Sequence, residues 1–376
     1  MGRRLGAVRL VRRTLRTVAV AAAGIALVLS VGATPAEAQA PDRPLRVMTR
    51  NLYLGADLGP AIGARTAPEF FTAVAGIHAS ARANTFSVRA AAVADEILTH
   101  QPDLIGLQEV SRWELTGDVG IAPIEDYLKI LRQALAARGL DYKVAAVSVN
   151  AVIGPVPLVA PCGSARVGDC TVTFTDRDII LVNRDSRGLR WWNPEQGNYQ
   201  NQAVFTPPVP GAEPVSFDRG WASIDGRFRG RSFHFVNTHL ETASAPEVQQ
   251  LQAEELLAGP AFGHGADLVV GDFNSAADGS TTPTYGVLTT RLRDAWRVRH
   301  GALGYTCCQP PTLTNPTSQL SRRIDLILVR GARPVSARVV GAVPFAATAP
   351  FWASDHAGVV AALQLGERRP RPGLLS

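Results

Sequence analysis

Lysine is almost missing from this chain. It occurs only at Lys129 and Lys143, and arginine supplies the other basic residues. That bias is what a GC-rich coding sequence produces, and no mechanism is read into it. Apolar runs of membrane-spanning length are missing after residue 40, which excludes a protein that crosses a bilayer with several helices. No internal repeat and no dividing linker follows that point, which excludes a solenoid or a string of separate domains. Cysteine is limited to Cys162, Cys170, Cys307 and Cys308, at spacings poor for a zinc site. A strong positive charge is missing too. The chain holds 38 Lys+Arg against 32 Asp+Glu, but six of those arginines and only Glu37 fall in the first forty residues. The remaining 32 against 31 exert no global pull on nucleic acid and leave only a local basic groove open.

The first forty residues have their own pattern. Arg3, Arg4, Arg9, Arg12, Arg13 and Arg16 precede an apolar stretch from Val18 to Val31. Pro35 and the small-residue pattern Ala36-Glu37-Ala38-Gln39-Ala40 follow. A charged region, an apolar region and a cleavage site in that order predict a secretory signal peptide over residues 1–40. Arg12-Arg13 leaves a twin-arginine route open, and an uncleaved anchor is the competing reading, with a short apolar run against it. Export makes disulfides expected from an even cysteine count. Cys162 and Cys170 flank a Gly-containing loop and are the predicted pair, whereas Cys307 and Cys308 either bridge each other or pair elsewhere. Residues 41–366 are predicted as one catalytic domain, and residues 367–376, rich in Arg and Pro, as a disordered tail.

Within the domain, apolar runs at Leu45–Leu54, Leu104–Leu107, Tyr142–Val149, Asp178–Asn183, Trp221–Arg227, Ser232–Leu240, Asp267–Gly271, Asp325–Val329 and Gly358–Leu363 predict strands. Helical spacing predicts helices over Ser87–Leu98, Ile124–Leu135 and Pro246–Leu257. Strands outnumber helices, and helices fall between them.

Four short segments carry the chemistry: Leu107-Gln108-Glu109-Val110, Asn237-Thr238-His239-Leu240, Gly271-Asp272-Phe273-Asn274 and Ser354-Asp355-His356. Each lies at the end of an apolar run or just before one. They pool carboxylates, amides and imidazoles with no evident nucleophilic Ser or Cys. That set suits a hard metal ion, a phosphate ester and water as the attacker. Glu109 at a strand rim is a predicted Mg²⁺ ligand, with Asn51 adding an oxygen or orienting a bound water. Asp272 and Asn274, two apart in extended chain, point to one side and place an acceptor and an amide donor together. The acceptor is suited to orienting or deprotonating water, the donor to a phosphoryl oxygen. His239 and His356 are suited to donating to developing charge or to accepting a proton. Asp325, flanked by Ile324 and Leu326, is predicted to hold His356 in one tautomer.

These segments, with Asn51 before them and Arg323-Ile324-Asp325 between the last two, resemble the endonuclease/exonuclease/phosphatase superfamily. That group includes pancreatic-type deoxyribonucleases, abasic-site repair endonucleases, inositol polyphosphate 5-phosphatases and bacterial sphingomyelinases. The resemblance runs from about Leu45 to Leu365. It implies an α/β four-layer sandwich of two packed mixed β-sheets flanked by helices, with the site at one rim. It implies Mg²⁺ (or Mn²⁺) held chiefly by Glu109 with Asn51, and Asp355 near the metal. It places Asp272 and His356 around the attacking water, Asn274 and His239 on the phosphoryl oxygens, and Asp325 behind His356. The substrate would be a phosphoester, in nucleic acid or a phospholipid head group, cleaved by a monomer. Thr238-His239-Leu240 is more similar to the sphingomyelinase, phosphatase and deadenylase branches than to the pancreatic-type nucleases. A nuclease would want a phosphate-tracking arginine groove. Arg177 is the predicted substrate contact, with Arg322 and Arg323 as further candidates, although Arg177, between Asp176 and Asp178, reads equally as a salt-bridged loop residue. Trp191-Trp192 reads either as a membrane-contacting loop or as aromatic packing at a sheet edge. The competing non-enzymatic reading, a binding module of the same fold, would lack a metal carboxylate or a histidine, and neither is lacking.

Overall fold

The computed structural model describes residues 43–117, 124–159 and 169–366. The predicted signal peptide, the predicted tail and Cys162 lie outside the described residues. In chain order the elements are β1 (Leu45–Asn51), α1 (Gly59–Ile62), α2 (Ala67–Ala83), α3 (Phe86–His100), β2 (Leu104–Gln108), β3 (Arg112–Thr116), β4 (Ile124–Asp126) and α4 (Tyr127–Ala136). Then come β5 (Tyr142–Pro157), β6 (Thr171–Asn183), β7 (Leu189–Asn198), β8 (Val204–Phe205), β9 (Val215–Ser216), β10 (Gly220–Phe228), β11 (Arg231–His239) and α5 (Pro246–Ala258). The chain ends with β12 (Ala266–Asp272), α6 (Thr284–Thr289), β13 (Arg293–Asp294), β14 (Asp325–Arg330), β15 (Ala332–Val340) and β16 (Gly358–Leu365).

Two mixed sheets pack face to face. The first runs β15-β16-β1-β2-β6-β3-β4 with β5 paired to β6, and the second runs β13-β14-β12-β11-β10-β7. Most pairs are antiparallel, while β1–β2 and β11–β12 are parallel. The layering follows from side-chain alternation along strands buried on both faces. Val47, Phe235, Leu268, Val270, Ile327 and Ile180 point between the sheets. Met48, Ile105 and Leu107 point outward to meet Phe86, Val93, Ile97 and Leu131 of the helices. On the far side Val236, Val269, Leu326 and Leu328 meet Ala253, Leu256 and Leu288. The result is the helix–sheet–sheet–helix sandwich of the prediction.

Three local differences have physical causes. The predicted helix over Ile124–Leu135 begins only at Tyr127, because Ile124–Asp126 pair with β3. Asp126 caps the helix by accepting from Leu128 N at 3.0 Å. Helix α2 lies in an Ala- and Gly-rich stretch whose weak periodicity hides it. Strand β7 includes Trp191 and Trp192 as the edge of the second sheet, with Pro and charged residues that break the alternation. Trp191 packs on the inter-sheet core beneath Lys143, whose Nζ lies 5.3 Å from the ring centre. Trp192 is exposed.

Polar ties fix how the sheets meet. Asn237 on β11 donates to Leu107 O (2.9 Å) and Ile179 O (3.2 Å) of the opposite sheet and accepts from Gln108 Nε2 at 2.6 Å. Gly106 makes room: a Cβ there would lie 2.5 Å from Asn237 Oδ1. Buried Arg89 on α3 donates to the carbonyls of Leu52 (2.6 Å), Tyr53 (3.1 Å), Asn84 (2.9 Å) and Ala353 (3.0 Å). It thereby joins the segments that follow Asn51 and precede His356. Asn237→Ala would take one donor from each of two buried carbonyls and the acceptor from Gln108 Nε2. A loss of about 2–3 kcal/mol is expected, read as a lower urea midpoint at unchanged slope. A midpoint equal to that of the unaltered protein would show the tie to be dispensable.

Candidate active site

Strand register assembles the site from both sheets. On the second sheet His239, Asp272 and Asp325 are direct cross-strand neighbours. On the first sheet Asn51 lies beside Gln108, with Glu109 one residue further on. His356 comes from the turn before β16. Glu109, Asn274 and Tyr53 all have left-handed backbones, with φ of 55°, 50° and 60°. Such conformations cost non-glycine residues free energy and persist where the surroundings impose them.

Asp272 is the hub. Its Oδ1 accepts from Asn274 N (2.9 Å) and its Oδ2 from Asn51 Nδ2 (3.1 Å). Oδ2 also lies 3.6 Å from His239 Nε2 and 3.7 Å from His356 Nδ1. His356 Nδ1 pairs with Asp325 Oδ2 at 2.9 Å. Asn274 Nδ2 is 3.1 Å from His239 Nε2 and donates to Leu240 O at 3.0 Å. Asn51 donates to Glu109 Oε1 at 3.0 Å, while its own Oδ1 accepts from Tyr53 N at 2.8 Å. Asn51 therefore faces the centre with its amide N–H groups, as a clamp on two carboxylates. Glu109 Oε2 accepts from Leu54 N at 2.7 Å.

The charges are crowded. Burial first, then Asp355 and Asp176, push Glu109 up to about 7. Burial pushes Asp272 up to about 6, opposed by His356 and reinforced by Asp325. Asp355 is raised mainly by burial. Burial alone would lower His356, but Asp325, Asp272 and Asp355 outweigh it and hold the imidazole protonated well above its usual range. His239 goes the other way: burial, then Arg219 and His356, keep it neutral. Two histidines in one site thus have opposite charge states, the arrangement that separates acid and base roles.

Arg177 does not join this centre. Its guanidinium donates to Val110 O (2.9 Å) and Asp126 Oδ1 (2.6 Å), locking the start of α4 to β6. The assignment of Arg177 to substrate is thereby corrected: a nearby carboxylate and a carbonyl take its donors. Arg323 is likewise bound to Asp294 at 2.8 Å, and Arg322 is exposed on the loop before it. Arg219 is the arginine that reaches the centre, with Nη1 3.1 Å from His239 Nδ1 and Nη2 3.6 Å from Glu241. The run Asp218-Arg219-Gly220 carries no pattern that would have marked it. Asp176 and Asp178 also face the centre, and both are raised first by burial. Their sequence signal is faint: they fall in the same strand phase as Ile180 and Val182. Cys170 is buried beside Gly117, and Cys308 Sγ lies 3.9 Å from His356 Nε2.

A model of the Endonuclease/Exonuclease/phosphatase family matches residues 74–356. The chain belongs to that family. Its members are hydrolases that act on phosphoesters and generally use a divalent metal. Among solved structures, a mannosyl-6-phosphatase of Bacteroides thetaiotaomicron is 18% identical with a TM-score of 0.52, covering 85% of this chain and 100% of that one. A family protein of Leptotrichia buccalis gives 15% and 0.52, with 85% and 100% covered. TDP2 of D. rerio, solved with single strand DNA product, gives 15% and 0.51, with 86% and 100% covered. At these identities the likeness is one of fold. No curated protein matches the chain.

The donor set fits a divalent cation. The Asp355 charge raises Glu109, and among the described residues His356 and Arg89 oppose the charge of Asp355 only through space. An octahedral ion that keeps several waters needs only one or two carboxylates. The raised groups also fix a pH effect. Glu109 and Asp272 bind their protons more tightly folded than unfolded, where the values are 4.5 and 3.8. The metal-free protein therefore loses stability as pH rises through about 6 and 7, and the raised His356 loses its contribution in the same direction at higher pH. In EDTA, Glu109→Gln is expected to gain in melting temperature over the unaltered protein as pH climbs from about 4.5 to about 8. A gap that does not change with pH would refute the crowding.

Proposed function

We propose that this chain is an exported, Mg²⁺-dependent (or Mn²⁺-dependent) phosphoester hydrolase in which water attacks phosphorus in line. One observation supports this most. Asp272 Oδ2 stands within 3.7 Å of Asn51, His239 and His356 at once, and both sheets contribute to the cluster. Asp272 orients the water and draws its proton. Protonated His356, aligned by Asp325, donates to the phosphoryl group as negative charge builds. Asn274, neutral His239 and Arg219 supply further hydrogen bonds to its oxygens. A cation held by Glu109, with Asp355 and the Asn51 clamp beside it, would neutralise the carboxylates and polarise the phosphoryl group.

The substrate side favours a phosphodiester with an apolar substituent over a nucleic acid. Of the three arginines predicted as phosphate contacts, Arg177 and Arg323 are committed to carboxylates. The chain also has an apolar recess of about 510 Å³ lined by Leu58, Phe70, Trp113, Phe174, Phe205 and Phe217, among others. Trp113 on its wall donates through Nε1 to Leu54 O, and Leu54 N donates to Glu109. Such a wall suits an uncharged chain or ring, and a phospholipid is one source of it. Contact with a membrane surface would belong to that reading. A nuclease is the second reading, and plasmid or RNA cleavage lost in Glu109→Ala would select it.

The full chain is expected to hydrolyse bis-p-nitrophenyl phosphate faster than p-nitrophenyl phosphate, and to stop in EDTA. Asp272→Asn and His356→Ala should each lower kcat by about 10²–10⁴-fold with the fold kept. Full turnover in both variants would put the centre elsewhere. Folded protein silent on these esters, on sphingomyelin and on nucleic acid would favour the binding module.

A further inference from the structure

Positions 176 and 178 belong to the phase of β6 that Ile180 and Val182 fill with inter-sheet core. Aspartates stand there instead, 5% and 0% exposed. Burying two carboxylates side by side is costly unless hydrogen bonds or cations answer them. Few do. Asp176 Oδ2 accepts from Asn150 Nδ2 at 3.3 Å. Asp176 Oδ1 and both oxygens of Asp178 have no donor in good hydrogen-bond geometry, and only the Asn150 amide, near Asp178, and the Arg177 backbone N–H, near Asp176, approach the pair more loosely. Arg219 is the nearby cation, but its contacts go to His239 and Glu241, and its Nε is itself without an acceptor. One positive charge therefore faces two aspartates and satisfies neither. His239 lies against the pair: a ring nitrogen and one oxygen from each aspartate fall within 4.8 Å of one another.

We propose that Asp176, Asp178 and His239 form a second divalent-cation site, distinct from the one at Glu109. An imidazole beside two carboxylates suits Mn²⁺ or Zn²⁺ better than Mg²⁺, which prefers all-oxygen surroundings. The ion answers one oxygen of each buried aspartate. It competes with Arg219 for His239, because Arg219 Nη1 already lies 3.1 Å from Nδ1 and 3.2 Å from Nε2. The site stands on these three side chains whether or not the chain hydrolyses phosphoesters.

The test is a count of Mn²⁺ bound to the full chain, from the resonance signal of the free ion during titration. Two ions per unaltered chain are expected, and one in each of Asp178→Asn, Asp176→Asn and Glu109→Gln. Metal-free melting checks the folding of each variant. Asp178→Asn should melt no lower than the unaltered protein, since the amide replaces an unpaired buried charge at nearly equal volume. One ion in the unaltered chain overturns the proposal, and so do two ions retained in both aspartate variants. Two ions in a folded chain that cleaves no phosphoester would leave this site standing and remove the hydrolase reading instead.

Discussion

The buried amide of Asn237 is the contact on which the rim depends. The centre is divided between two sheets, with Asn51, Glu109 and His356 on one and His239, Asp272 and Asp325 on the other. Apolar side chains between the sheets supply most of the attraction, but oil-like contact sets no register of its own. An amide that donates to two carbonyls of the opposite sheet and accepts from Gln108 does set one. Its donors and acceptor are all used, so sliding the sheets would strand buried polar groups. Gln108, one residue before Glu109, and Asn237, two before His239, thus do structural work, and their chemistry is positional.

A second constraint follows from the first. Bringing the rims together also brings carboxylates together in space where water screens them poorly. Glu109, Asp176, Asp178, Asp272 and Asp355 all have their proton affinities raised by burial. Charge repulsion of this kind destabilises the empty protein, and fixed backbone ties resist it: Arg89 alone binds four carbonyls around the site. The same repulsion makes the centre a good host for a cation, since binding releases it. It also separates the two imidazoles. His356 is surrounded by carboxylates and stays charged, while His239 meets Arg219 and stays neutral.

Much of this was legible in the chain. Strands buried on both faces carry near-continuous apolar runs, and polar tetrapeptides at their ends stand out against them. That contrast locates Glu109, His239, Asp272 and His356, and the family resemblance those segments carry implies the two-sheet class. Where the contrast fails, the reading fails with it. Asp176 and Asp178 are hidden by their even alternation with core residues on β6. Arg219 follows a loop with no periodic pattern. Arg89 hides on α3, where an arginine normally signals the wet face but here sits fully buried among carbonyls. Arg177 stood out as a candidate near the motifs, yet it is an ion-paired residue whose partner, Asp126, is 51 residues away.

The sequence by itself determined which chemical groups are present and where each strand ends, because burial on both faces must be written into every position of a strand. The tertiary structure alone decided which groups meet. Hydrogen-bond register placed His239, Asp272 and Asp325 in one row, and the approach of the sheets at Gly106 set the distance across to Asn51 and Glu109. Whether an arginine faces substrate or a distant aspartate depends on such long-range contacts, and local sequence carries no record of them.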